Sequence, residues 1–368
     1  MKNQIIKAHK FGLCTFEDNK FTMRIFTKFM ATLKGIWLGI VLLLAVSATL
    51  LLTDLQNQNP GSKAIKTIAI FKFSSRPLLN NTELGFIEGL RTRGFIDGKN
   101  IRLTRYCAEN DLPTANTIAK EIIGKKFDVV ITASTPALQV MANANKNGEV
   151  IHVFAAVTDP FLSGVGLQRN HPEIRPEHLA GLGTFQPVED AVLIARQINP
   201  GLKKIGVPWC SNETCSEACV VIARRICDSL GIELMEANVE NTTSVLEASQ
   251  SLVARGAEAL WIGGDNTVEV AFDLMVKAGR NGKIPVFCND PELVGKGALF
   301  GLGANYFEVG KAGGNIAADI LEGKKPSEIP VQNVVPEKLF LNMKALNGLK
   351  ECWTIPENLI QRADSIAR

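Results

Sequence analysis

From Lys66 onward, short aliphatic and β-branched runs alternate with stretches whose apolar positions recur every three or four residues. Lys66–Phe71, Asn100–Tyr106, Phe127–Thr132, Val150–Phe154 and Leu179–Gly183 read as strands. Asn81–Arg93, Thr114–Gly124, Pro136–Ala144 and Val188–Ile198 read as helices, the first with Leu84, Ile87, Leu90 and Phe86 facing inward. The pattern then restarts. Strands are expected at Lys204–Val207, Glu233–Ala237, Ala259–Ile262, Val286–Cys288 and Leu299–Gly301. Helices are expected at Thr214–Leu230, Ser244–Arg255, Val268–Gly279 and Glu308–Glu322. A strand at Lys338–Asn342 and a short helix at Pro356–Arg362 close the chain. Alternating strands and helices build a mostly parallel sheet with helices on both faces. Two such series predict two doubly wound α/β lobes, residues 66–185 and 186–335, with 336–368 returning across them.

The pattern upstream is different. Gly35 to Thr53 is a run of 19 residues without charge, flanked by Lys34 and Asp54. A helix of that length almost crosses a hydrocarbon core of about 30 Å. Basic residues before it and an acidic one after it place residues 1–34 in the cytoplasm and the body outside. The expectation is a single-pass anchor over 35–53 in the cytoplasmic membrane, followed by a polar linker over 54–65. Val46-Ser47-Ala48 has the small residues of a signal-peptidase site, so a cleaved signal peptide is the other reading. Thr49–Leu52 continues the apolar run past that point and favours the uncleaved anchor.

Charge sharpens this division. The first 35 residues carry seven Lys or Arg against two acidic residues, a net of +5, which leaves −2 for the rest of a chain whose total is +3. A slightly acidic body lacks the clustered basic footprint of a nucleic-acid binder. Four of the eight cysteines fall together, Cys210, Cys215, Cys219 and Cys227. Their spacing lacks the tight pair of a zinc site, so buried or disulfide-bonded thiols are expected. Neither half has a phosphate loop, and no G-x-G-x-x-G follows a strand. The four histidines form no nucleophile–base pattern, and G-x-S-x-G and H-E-x-x-H are missing. Neither an enzyme nor a cofactor is expected. The stretch 168–178, with His171 and His178, reads as a solvated loop rather than a metal site.

In open parallel sheets, ligands bind beyond the carboxyl ends of the strands. The turns at those positions are 73–77, 133–136, 156–160, 208–213, 263–267, 289–291 and 304–306, and all are rich in Ser, Thr, Asn and Asp. Such residues cap helices. They also suit a zwitterion, whose carboxylate is held by helix-start N–H groups and whose ammonium is held by Asp. Ser134 and Thr135 offer two hydroxyls where one cap suffices. Asp265, Asn266 and Thr267 follow two glycines, and Trp209 and Tyr306 add aromatic surface.

At these turns the chain resembles the ABC transporter substrate-binding family that includes tryptophan- and phenylalanine-binding proteins. The blocks that carry the resemblance include GFIEGLRTRGFIDGKNI (85–101), TASTPALQ (132–139), AAVTDP (155–160), GGDNTV (263–268), IPVFCND (284–290) and GALFGLGANYFEVGKAGGNIAADIL (297–321). The resemblance implies a type I periplasmic-binding fold with the ligand between the lobes. It also implies a small amino-acid-like ligand, and an ABC permease and its ATPase as partners. Carried over position by position, Ser134, Thr135, Thr158 and Asp159 become first-lobe contacts. Asn212, Asp265, Asn266 and Asp290 become second-lobe contacts, with Asp290 or Asp265 facing the ammonium. Ser75, Arg76 and Tyr306 join them from the rim. Arg76-Pro77 stands where many members have His-Pro, and Arg76 is expected to pair a ligand carboxylate or an additional acidic group on the ligand. A membrane-anchored sensor of the same ligand is the alternative function.

Overall fold

The computed structural model describes residues 37, 39–50, 65–350 and 353–368. Residues 39–50 are helical with exposed side chains. Among the described residues, no helix is long and apolar enough to cross a membrane. The expected tail 1–34, the flanks of the apolar run, nearly all of the linker, Cys14 and Cys352 lie outside the described residues. Residues 65–368 form a compact unit of their own.

That unit holds two sheets. The first joins β1 (Lys66–Lys72), β2 (Ile101–Cys107), β3 (Val129–Ala133), β4 (Ile151–Val157), β5 (Leu179–Gly183) and β11 (Gln332–Asn333) in the order β11-β5-β4-β3-β1-β2. All its pairings are parallel. The second joins β6 (Lys204–Trp209), β7 (Glu233–Asn238), β8 (Ala259–Ile262), β9 (Val286–Cys288), β10 (Phe300–Ala304), β12 (Glu337–Asn342) and β13 (Ser365–Ala367) in the order β13-β12-β10-β9-β8-β6-β7. Only the β10–β12 pair runs antiparallel. The central strands β3 and β8 are buried at every position, as expected for strands covered on both faces. This is the type I periplasmic-binding fold.

The helices are α1 (Pro77–Thr92), α2 (Leu112–Lys125), α3 (Thr135–Ala144), α4 (Val188–Ile198), α5 (Thr214–Ser229), α6 (Val245–Ala254), α7 (Asn266–Val270), α8 (Phe272–Gly282), α9 (Tyr306–Leu321) and α10 (Glu357–Arg362). Several begin where side chains satisfy the first free N–H groups. Asp111 accepts from Thr114 N–H at 2.8 Å, and Asp265 from Val268 N–H at 2.7 Å.

Two expectations change. α1 begins at Pro77, and its buried face is Leu78, Leu79, Thr82, Gly85, Phe86, Gly89 and Leu90, while Leu84 is exposed. The inward stripe is therefore turned toward the glycines. The reason lies in α9, which crosses α1 backbone to backbone. A Cβ on Gly85 would lie 2.1 Å from Phe307 O, and one on Gly310 would lie 2.1 Å from Thr82 O. The second change follows from the first. Residues 306–333, grouped with the second lobe by the sequence pattern, pack on the first sheet as α9 and β11.

The chain thus passes between the sheets three times: after β5, after β10 and after β11. These passages bind one another. Phe185 N–H donates to Asn333 Oδ1 at 2.7 Å, Val334 N–H to Gly183 O at 2.8 Å, and Asn305 N–H to Pro336 O at 2.6 Å.

Candidate functional site

Three first-lobe turns leave the carboxyl ends of neighbouring strands. Lys72 is in register with Ala133, and Ala133 with Ala155. This sets Ser74–Arg76, Ser134–Thr135 and Thr158–Asp159 side by side. Ser134 caps α3, accepting from Ala137 N–H at 3.3 Å. Its φ of 101° is costly for a residue with a Cβ, and strain of this kind gathers at binding sites. Thr135 Oγ1 accepts from Thr158 N–H at 3.4 Å, which leaves the Thr135 hydroxyl hydrogen to donate elsewhere. Ser74 Oγ is buried without a hydrogen-bond partner. The first wall therefore presents hydroxyl donors around the start of a ten-residue helix, a setting that favours an anion.

The second wall is acidic, and its carboxylates have distinct partners. Asp265 accepts from Cys210 N–H at 2.7 Å, Ser216 Oγ at 2.6 Å and Val268 N–H at 2.7 Å. Glu213 accepts from the backbone and side-chain amides of Asn266 at 2.8 and 2.7 Å, and from the N–H and hydroxyl of Thr267 at 2.9 and 2.6 Å. These two hold the turns of the second lobe together. Glu269 is ion-paired with Arg76 of the first lobe. Asp290, only 2% exposed, accepts from a single backbone group, Glu292 N–H at 3.0 Å. Burial pushes the Asp290 carboxyl up to about 6, against the opposing pull of the Arg76 guanidinium. Burial, followed by the charge of Glu213, raises Asp265. A cavity of about 120 Å³ opens beside Asp290, bounded by Ser75, Arg76, Glu269 and Leu293.

The lobes meet across this cleft. Arg76 Nη2 donates to Asn266 Oδ1 at 2.7 Å, and Gln139 Nε2 to Thr214 Oγ1 at 3.2 Å. Gln186 sits on the passage after β5 as a shared partner. It lies 3.4 Å from both Thr158 Oγ1 and Cys219 Sγ, and its amide donates to the Tyr306 hydroxyl at 3.2 Å. Burial raises the Tyr306 hydroxyl, so it is neutral. The fold brings Arg76, Ser134, Thr135, Thr158, Asp265, Asn266, Asp290 and Tyr306 to one cleft.

Ser75 borders the small cavity beside Asp290 but is exposed, and its hydroxyl donates to Glu109 at 2.8 Å. The remaining expected residues lie elsewhere. Asn212 is exposed. Asp159 is buried but faces its own loop, accepting from Phe161 N–H at 3.0 Å and Arg169 at 2.6 Å. Trp209 lies under the Arg224 guanidinium, 5.7 Å from its ring centroid. The six described cysteines are free thiols, and burial pushes Cys219 up to about 12.

Sequence reasoning placed Ser74 and Glu213 in rim turns without assigning them to the site, and passed over Gln186 and Glu269. Gln186 was within reach, because it follows β5, a strand whose outgoing turn belongs to the same rim. Glu269 was read as part of one continuous helix from Val268 to Gly279, since nothing in the pattern marks the break at Ala271 between α7 and α8.

Two parallel-sheet lobes, three passages between them and a polar cleft at the strand ends define a two-lobed solute receptor. The chain belongs to the ABC transporter substrate binding protein family, whose model matches residues 67–367. It is 29% identical over 294 residues to the tyrosine-binding protein of Clostridioides difficile, covering 80% of this chain and 84% of that one. The ABC domain from Streptococcus pneumoniae in complex with L-Trp is 24% identical, with a TM-score of 0.76 over 82% of this chain and all of that one. The ligand-free, open structure of a substrate-binding protein with adhesive properties from Clostridium difficile is 28% identical, with a TM-score of 0.62 over 82% of this chain and 99% of that one.

Proposed function

We propose that the protein is the extracytoplasmic binding component of an ABC importer and grips the zwitterionic end of an α-amino acid between its lobes. The observation that carries this reading is Asp290. It is a buried carboxylate on the second wall that accepts from only one backbone N–H, whereas Asp265 and Glu213 are each held by several donors. A ligand ammonium completes its hydrogen bonding. The ligand carboxylate meets Thr135, Ser134 and the unpartnered Ser74 hydroxyl on the facing wall. Arg76 works as a clasp between the lobes through Asn266 and Glu269. The names of the two relatives that cite tyrosine and L-Trp support an aromatic or similarly sized amino acid. Delivery to a permease and its ATPase, and a single-pass anchor over 35–53 in the cytoplasmic membrane, complete the proposal. The anchor rests on the uncharged run and its flanking charges.

A thermal-shift screen of the natural amino acids tests this. At least one should raise the melting temperature of the wild-type protein, and Asp290→Asn should abolish that shift while keeping a cooperative melt. If no amino acid shifts the wild type, the zwitterion reading fails.

A further inference from the structure

We propose a second binding site in the far part of the second lobe, for a small anion bearing phosphate groups. A groove of about 500 Å³ lies among the end of α8, the start of β9 and the segment after β12. That volume is in the usual range for small-molecule sites. Arg280, Lys283, Lys296 and Lys344 line it, together with Asn342 and Asn347.

Three observations set the groove apart from ordinary solvated surface. No Asp or Glu lines it among the described residues. Among the described residues, none of its four cations forms an ion pair, although thirteen other Lys and Arg side chains do. Finally, the body of the chain carries a net −2, so four cations in one concavity run against its overall charge. Like charges in one concavity repel, and a bound anion relieves that repulsion while gaining focused attraction. A guanidinium with three ammonium groups and side-chain amides suits phosphate oxygens, which accept from several directions at once.

The site is separate from the cleft. The groove begins at Ile284, Pro285 and Val286, at the amino end of β9, whereas Asp290 follows its carboxyl end. Lys296 alone borders both the groove and the small cavity beside Asp290. The proposal stands whether or not the cleft binds an amino acid.

Isothermal titration of the full chain in nonionic detergent tests it, with inorganic pyrophosphate and soluble dihexanoyl phosphatidylglycerol as separate probes. One of the two should bind, more weakly as salt rises. The double variant Arg280→Glu, Lys344→Glu should lose at least roughly tenfold in affinity, the scale expected for charge-assisted hydrogen bonds. Pyrophosphate binding identifies a soluble phosphate ligand, and binding of the lipid alone identifies a headgroup; either supports the site. If the double variant fails to fold, Arg280→Gln, Lys344→Gln replaces it with the same expectation. Binding of neither probe, or equal affinity in wild type and variant, overturns the proposal.

Discussion

Asp290 and Arg76 divide the work of the cleft at the scale of single residues. With the Asp290 carboxyl raised to about 6, a ligand ammonium has to displace a proton below that pH. Affinity for an amino acid should therefore fall about tenfold per pH unit below 6 and level off above it; titrations between pH 4.5 and 7.5 measure this. A flat profile in the wild type would remove Asp290 from the ammonium site. Arg76→Ala would leave Glu269 buried without its partner in the closed form, a cost of about 3–5 kcal/mol. The variant should show a larger radius of gyration in solution scattering and bind its ligand at least roughly tenfold more weakly. His152 carries a second pH effect, on stability. It is fully buried, 2.9 Å from Thr132 Oγ1 through Nε2, and burial lowers it from 6.5 to about 3. Between those values the unfolded chain binds the proton and the folded one does not. Stability should then decline as pH falls from 6.5 toward 3, by up to about 1.4 kcal/mol per unit. Chemical denaturation of wild type and His152→Gln across that range measures the difference; equal slopes would show that His152 is not responsible.

The crossing of α1 and α9 decides the lobe boundary at the scale of elements. Gly85 and Gly89 face Gly310 and Gly314, and a Cβ on Gly314 would lie 2.3 Å from Phe86 O. Gly85→Ala and Gly314→Ala should each destabilise the body by about 1–3 kcal/mol, because the helices must separate. Denaturant midpoints of the two variants read this out; wild-type midpoints would show that the crossing tolerates side chains. This element also marks where the sequence stops being informative. Strands β3, β8 and β9 and helices α3 and α4 were legible because fully buried runs, a capped start at Ser134 for α3 and a helical apolar period with acidic residues in the first turn for α4 leave local patterns. The destination of α9 was not, since glycines that permit close approach look like any other glycines until the partner helix is known. β11 and β13 have two and three residues, too few for an alternation to register. In the site, the polar turns were legible as a rim, but their inward or outward direction was not. Asn212 and Ser75 share the composition of Asn266 and Ser134, yet Asn212 is exposed and the Ser75 hydroxyl is turned to Glu109.

At the scale of the whole molecule, function is a matter of two walls and the distance between them. The first wall offers hydroxyls at a helix start and the second a carboxylate, while the clasp from Arg76 to Asn266 and Glu269 brings them together. Three mutually bonded passages between the lobes keep that approach reproducible. On the proposed reading neither wall alone recognises an α-amino acid, since each is assigned one end of the zwitterion. The most direct test is therefore a comparison of affinities by isothermal titration. The best amino acid from the thermal screen is set against its N-acetyl and carboxamide derivatives. Each derivative should bind at least roughly a hundredfold more weakly, because it leaves a buried polar group without a charged partner. A derivative that bound as tightly as the parent amino acid would contradict the grip proposed for the cleft.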